Sequence, residues 1–282
     1  MPENVPCNIC SSERSALLFA IDSLCIVRCR NCGLVYTSPR LTEKESVKLY
    51  ENFNAGYDDR SLKAWSETAR RRLSEAMKFK KSGRVLELGC SIGYFLNEAK
   101  KRGFDCYGIE KSEKAAKTAK KLYGLKNIST SDEYMNCREK FDVVAAFHVL
   151  EHMRDPMATV KKLSTAMKKD GVMVIEVPDA GSLKPKILKS KWIAYDVYRH
   201  LYYFNYRTLT MLLESNSMRI IKKTSVPNIL ISEFGPKQAA AINSLPPGTK
   251  NILSKASLYG TFLLRKMRIG DAIRVYATKI NK

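Results

Sequence analysis

The chain is 282 residues long, enough for one full α/β core with a small satellite module, and its 45% hydrophobic and 27% charged residues exclude a disordered protein. Its opening, MPENVPCNIC, lacks a basic segment followed by an apolar run, and about 18 consecutive apolar residues occur nowhere, so neither a signal peptide nor a spanning helix is expected and the chain is read as cytoplasmic. The net charge is +21, and from Ala180 to Lys282 there are 18 Lys or Arg against 4 Asp or Glu, a field that attracts a phosphorylated or nucleotide-linked substrate, RNA or an acidic membrane, unless it is only a solvated lysine-rich surface.

Residues 1–40 form a cysteine-rich first unit that ends at the turn signal Ser38-Pro39. Cys7-x-x-Cys10 and Cys29-x-x-Cys32 stand 18 residues apart, a spacing that lets two knuckles present four thiolates to one tetrahedral ion. Gly33, directly after Cys32, eases the second knuckle. Four sulfurs close the coordination shell, so the expected zinc is structural rather than catalytic, in a zinc-ribbon-like module. Cys25, Cys90, Cys106 and Cys137 have no such pairing and are expected to be ordinary thiols.

Residues 41–82 predict a helical connector that folds over the active site. Thr42 and Glu45 make a capping box, Tyr57 is placed to close over the site, and Arg70, Arg71 and Arg72 form a basic stretch. From residue 83 the pattern changes to alternating strands and amphipathic helices. Strands are predicted at Arg84–Leu88, Phe104–Ile109, Asn127–Thr130, Phe141–Phe147 and Gly171–Val177, then a helix at Arg207–Glu214 and strands at Met218–Val226 and Asp271–Lys279. This alternation predicts a parallel, doubly wound sheet, the α/β class. An insertion at about 228–269 precedes the last strand, and Lys250–Arg268 within it has an amphipathic helical pattern that suits a pocket cover, a subunit contact, an anionic membrane surface or plain packing on the core.

The segment VLELGCSIGYFL, Val85–Leu96, is an apolar strand that runs through a glycine-containing turn into a helix. Gly89 permits the tight bend, Gly93 allows helix and strand to pack, and the helix N-terminus faces a ligand. The next strand ends at Glu110, twenty-one positions beyond Gly89, where a carboxylate hydrogen-bonds a ribose diol. Nicotinamide enzymes need Gly-x-Gly-x-x-Gly, and Gly89-Cys90-Ser91-Ile92-Gly93 departs from it, which disfavours a dinucleotide pyrophosphate.

Glu87-x-Gly89-x-Ser91-x-Gly93 resembles the first motif of class I S-adenosylmethionine methyltransferases, with serine at the usual middle glycine, and the resemblance runs from about Arg84 to Thr224. It implies a Rossmann-like seven-stranded sheet with an antiparallel last strand. It also implies that Glu87 and Gly89 lie near the amino-acid portion of S-adenosylmethionine, with Cys90 and Gly93 also cofactor-binding, Glu110 at the ribose, and Asp132 or Glu133 near the adenine. FDVVAAFHVLEHMRDP, Phe141–Pro156, is similar to the fourth-strand motif of the small-molecule branch related to ubiquinone and sugar methyltransferases, so Phe147 and His148 would edge the pocket. The aromatic run YDVYRHLYYFN, Tyr195–Asn205, looks like that of sugar C-methyltransferases, which also carry an N-terminal zinc module. His200 in that run is the expected general base and a nucleotide-linked sugar the expected acceptor.

Other readings compete. Gly89-Cys90-Ser91-Ile92-Gly93 also fits a hydrolase nucleophile elbow, and His148-Val149-Leu150-Glu151-His152 fits an inverted zinc-protease pattern, but the first follows the opening strand of its domain and the second begins at a strand end. His200 has the plain alternative of a packed core histidine, and Tyr198, Tyr202 and Tyr203 read more simply as core. An RNA methyltransferase holding phosphates on the basic C-terminal region is a second enzyme reading, and a scaffold protein with a vestigial cofactor site is the reading from another class.

Overall fold

The computed structural model describes residues 2–51, 59–138, 140–226 and 270–280. Three short strands come first: β1 (Ser15–Ile21), β2 (Leu24–Cys29) and β3 (Val35–Thr37). They are followed by α1 (Glu43–Glu51), entered through the Thr42–Glu45 box, in which the Thr42 N–H donates to Glu45 Oε2 at 2.9 Å, and by α2 (Asp59–Ala76).

The alternating part runs β4 (Arg84–Leu88), α3 (Tyr94–Lys101), β5 (Asp105–Ile109), α4 (Glu113–Tyr123), β6 (Asn127–Ser129), α5 (Glu133–Asn136), β7 (Phe141–Phe147), α6 (Pro156–Ala166) and β8 (Met167–Pro178). It continues through α7 (Leu183–Leu188), β9 (Tyr202–Tyr203), α8 (Tyr206–Glu214), β10 (Met218–Val226) and β11 (Ala272–Lys279). Local chemistry fixes several ends. Ser112 caps α4 and the left-handed Gly124 closes it; Asp155 caps α6 with Pro156 in its first turn; Asn205 and Thr208 form a capping box on α8.

Seven strands form the main sheet in the order β10-β11-β8-β7-β4-β5-β6. β11 runs antiparallel to both neighbours, and β4 to β8 are mutually parallel. All seven residues of β7 are buried, as a strand covered on both faces requires. Alternate side chains feed two cores. Leu86, Leu88, Val144, Ala146 and Ile175 pack toward α6, α8 and the cysteine unit, whereas Val85, Val143, Ala145 and Val174 pack toward α2, α3 and α4. The connector helix α2 therefore buries Ala69, Leu73 and Ala76 in the sheet's own core.

The second sheet is β1-β2-β3-β9. Its fourth strand comes from the aromatic run: Val35 pairs with Tyr203 and Tyr36 with Tyr202, antiparallel. The cysteine unit is also pinned at α6, where Asn8 Nδ2 donates to Asp155 Oδ1 at 3.0 Å and Asn8 Oδ1 accepts from the Met157 N–H at 3.0 Å.

Several boundaries differ from expectation. Phe104 precedes β5 and packs in the core, β6 stops one residue earlier, and β8 starts four residues earlier than Gly171 because Met167 already pairs with Phe141. The expected amphipathic helix at Lys250–Arg268 and Tyr57 lie outside the described residues. Among the described residues no helix is long and apolar enough to cross a membrane.

Candidate active site

The carboxyl ends of β4, β5, β6 and β7 converge at the edge of the sheet where doubly wound folds bind nucleotides. After β4 the backbone takes left-handed values at Gly89 (φ 70), Ser91 (φ 49) and Gly93 (φ 87). A Cβ on Gly89 would stand 2.5 Å from Val149 Cγ2, and one on Gly93 would stand 2.4 Å from Leu125 Cδ1, so both glycines are required by close approach as well as by φ.

Glu110 turns toward this bend. Its Oε2 accepts from the Ser91 N–H at 2.9 Å and its Oε1 from the Ser112 N–H at 2.9 Å. Glu87, on β4, is 5% exposed, and its Oε2 has no hydrogen-bond partner among the described residues. Burial raises its carboxyl well above the ordinary 4.5; Arg72 opposes the shift and Glu110 adds to it. Cys90 is buried, and its thiol donates to the Ser91 carbonyl at 3.8 Å. Its sulfur points into the core against Gly108, where a Cβ would lie 2.6 Å from it, and burial pushes the thiol up.

Past β6, Asp132 precedes α5 and pairs with Lys162 at 3.1 Å, and Glu133 opens that helix. Past β7, Phe147 carries the Arg72 guanidinium 4.3 Å above its ring. His148 has a left-handed backbone (φ 56) and sets Nε2 3.1 Å from Glu176 Oε1 and Nδ1 3.4 Å from Glu151 Oε1. Burial alone would lower its pKa, but these two carboxylates carry it up to about 9. Glu176, 2% exposed, is also held by Arg72 at 2.5 Å and by Arg274 at 2.5 Å, which keeps its carboxyl well below the usual range despite burial. Sequence reasoning missed this buried cluster. The signal was a charged residue inside each of two apolar strands, Glu176 in GVMVIEVP and Arg274 in AIRVYATK.

Val149, packed on Gly89, connects the bend to a second group. Leu150–His152 make one 3-10 turn, so the one-helix-face arrangement that an inverted zinc protease needs does not form. Glu151 and His152 instead meet His200, with one ligand-type atom of each within 4.8 Å of the others. The two imidazoles stand edge to face with centroids 4.7 Å apart. His152 Nδ1 lies 2.9 Å from the Arg199 carbonyl and His200 Nδ1 lies 2.7 Å from the Ala194 carbonyl. A carbonyl only accepts, so each ring carries a proton on Nδ1. Burial and the neighbouring His152 lower the His200 pKa, which keeps it neutral.

The strand pairing described above reaches this group. The His200 carbonyl accepts from Thr37 Oγ1 at 3.0 Å and from the Tyr203 hydroxyl at 3.0 Å, so the cysteine unit helps to hold the histidine. In that unit Cys7 Sγ is 3.4 Å from Cys32 Sγ and Cys10 Sγ is 3.5 Å from Cys29 Sγ, with all four sulfurs within 4.8 Å. Gly33 is left-handed (φ 81) at the second knuckle. Burial raises Cys29, but the Cys32 and Asn31 backbone amides pull it down to about 6.

A doubly wound sheet whose two-glycine bend is answered by a carboxylate on the neighbouring strand defines a class of α/β proteins with a nucleotide cleft. A family model for a methyltransferase domain matches residues 60–222, more than half of the chain, and the chain belongs to that family. The ubiquinone biosynthesis O-methyltransferases of Bradyrhizobium diazoefficiens and Rhodopseudomonas palustris are 29% and 32% identical to it over 97 and 98 residues, which is 33% of this chain and 38% of each relative. The match thus spans well under half of those relatives' length. Among solved structures, an S-adenosylmethionine-dependent methyltransferase from Archaeoglobus fulgidus aligns with a TM-score of 0.53 at 22% identity over 76% of this chain and 94% of that one. Magnesium protoporphyrin IX methyltransferase from Synechocystis, with bound S-adenosylhomocysteine, aligns with a TM-score of 0.52 at 14% identity over 84% and 93%. These likenesses establish the seven-stranded Rossmann-like methyltransferase fold.

Proposed function

We propose that the chain transfers the methyl group of S-adenosylmethionine to a small anionic or glycan-type acceptor, a nucleotide-linked sugar among them. The observation that carries this is the pair of carboxylates at the bend: Glu110 reaching the Ser91 amide, and the buried Glu87 with an unpartnered oxygen. The two fit opposite parts of the cofactor. Glu110 suits the ribose hydroxyls, and Glu87 suits the ammonium of the methionine portion, which would offset the burial that raises its carboxyl. The names of the curated relatives support a small acceptor.

The bound sulfonium supplies an electrophilic methyl carbon and leaves as a thioether. The protein's part is to align an acceptor with that carbon, exclude water and prepare the acceptor atom for attack. The Nε2 lone pair of His200, held by Ala194 behind and by Thr37 and Tyr203 at its carbonyl, is the group for that preparation. We assign the four-cysteine cluster a structural zinc, whose role is to fix β3 and through it the His200 segment.

Transfer of labelled methyl to a panel of nucleotide-sugars, quinol precursors and RNA tests the reading, together with calorimetric titration of the cofactor. Removing a charged hydrogen-bonding partner costs about 1.5–3 kcal/mol, so Glu110→Ala is expected to weaken cofactor binding about tenfold to a hundredfold. Full-strength cofactor binding by that variant, or methylation of RNA alone, overturns it.

A further inference from the structure

We infer that Glu151 is the positioning residue that keeps the acceptor's proton on the His152–His200 pair once His200 has taken it. The inference deepens the methyltransferase reading and rests on it for the identity of the acid. The chain has three histidines, and all three meet around this one carboxylate, brought there by the end of β7, the turn that follows it and the run before β9. Glu151 is 1% exposed and its Oε1 faces His148 Nδ1 at 3.4 Å. One of its oxygens and one ring nitrogen from each of His152 and His200 lie within 4.8 Å of one another.

The three imidazoles have different parts. His148 sets one ring nitrogen against Glu151 and the other against Glu176; a carboxylate only accepts, so both nitrogens carry protons and the ring is a standing cation. Burial would raise the Glu151 carboxyl, but the bond from His148 and the charges of the three imidazoles hold it below the ordinary 4.5, so it stays an anion. His152 and His200 stand edge to face with centroids 4.7 Å apart, too close for two charged rings, so the pair takes up one proton before the other.

Methyl transfer gives that arrangement its use. The acceptor's electron pair forms the bond to the methyl carbon, the carbon–sulfur pair stays on sulfur, and the acceptor's proton passes to His200 Nε2. A positive charge that began on the sulfonium therefore ends on an imidazole whose burial opposes it. The charged groups facing His200 leave one anion to answer that charge. His152 opposes it, and Asp196 is bound by Arg199 at 2.5 Å. From β9 comes Tyr203, whose phenol burial keeps protonated, and β3 brings the uncharged Thr37. Glu176, beyond His148, is engaged by Arg72 and Arg274 at 2.5 Å each. Glu151 supports the new cation as a buried aspartate supports the histidine of a serine-protease triad.

The test is a titration of the imidazoles by nuclear magnetic resonance on the full chain, labelled with nitrogen-15 in histidine, with zinc supplied and no cofactor. In the wild type we expect His148 to stay protonated through neutral pH, and His152 and His200 to titrate in two linked steps. An opposite charge within about 4–6 Å shifts a pKa by about 1–3 units, so Glu151→Gln is expected to lower the first step of the pair by about one unit or more, and Glu151→Asp to restore part of it. His152→Gln is expected to move His200 upward, because the opposing neighbour is gone. Loosened packing would not produce shifts of opposite sign. A first step that stays in place in Glu151→Gln overturns the role, and so does a downward move of His200 in His152→Gln. A third measurement needs no variant: the side-chain carboxyl carbon of Glu151 should report an ionised group throughout the titration of the pair, and a protonated Glu151 at neutral pH overturns the role. Calorimetry with the cofactor keeps the two readings apart. The expected shifts without cofactor binding leave Glu151 its role and sink methyl transfer, whereas cofactor binding with an unmoved pair sinks the role of Glu151 alone.

Discussion

Gly89 packs its α-carbon against Val149, and this contact joins the nucleotide bend to the turn that carries Glu151 and His152. Gly89→Ala forces a left-handed alanine (native φ 70) into Val149, and we expect a loss of about 2 kcal/mol or more, read by urea denaturation, together with weaker cofactor binding. Glu87 gives a pH signature. Its folded pKa is raised above the ordinary 4.5, so the folded chain holds a proton that the unfolded chain has released, and stability falls as pH rises from 4.5 through the folded value. Glu87→Gln should abolish that slope and stabilise the cofactor-free protein at neutral pH, and cofactor binding to the wild type should release a proton, seen as buffer-dependent binding enthalpy. A flat wild-type profile would remove the assignment. The glycines and Glu110 were legible because the bend is local and the spacing to the next strand tip is short. Glu151 was visible only inside a misleading five-residue pattern, because its partner His200 lies 49 positions on and no local rule brings them together.

Among the elements, the strand pair β3 and β9 decides how the His200 segment is held. Chelation of the metal proposed for the four cysteines, or Cys29→Ser, is expected to free β3 and raise amide exchange at Thr37, whose N–H donates to the Leu201 carbonyl, and at Tyr203, while cofactor affinity changes little because the bend lies on the other sheet. Equal exchange with and without metal would separate the two. On β8, Glu176 anchors Arg72 from α2 and Arg274 from β11 in one buried cluster. Glu176→Ala leaves two guanidinium groups without their counter-ion, and we expect a loss of about 3–5 kcal/mol by thermal or denaturant unfolding. The seven main strands were readable from apolar runs, and β4, β7 and β10 match their predicted bounds. β9 was not, since two residues offer no periodicity and their pairing depends on a strand 166 positions earlier. α7 was missed for a related reason: Leu183–Leu188 is one and a half turns, too short for a pattern.

Across the whole molecule, the net charge of +21 should act on encounter more than on fold. If the acceptor is anionic, its KM is expected to rise steadily with ionic strength while cofactor affinity stays nearly flat, since Glu87 and Glu110 are short-range partners at the bend. A KM insensitive to salt would point to a neutral acceptor. Topology was legible at this scale because alternating strands and helices admit few arrangements. The way the small sheet borrows a strand from the large domain was not, because it joins segments far apart in sequence. That borrowing has a consequence for biosynthesis. On a ribosome the open edge of β3 stays without its partner until Tyr202 and Tyr203 have emerged, long after the thiols of the first knuckles. The His200 segment therefore cannot dock on the cysteine unit until then, and early loading of the metal proposed for the four cysteines would keep that waiting edge from joining the wrong chain.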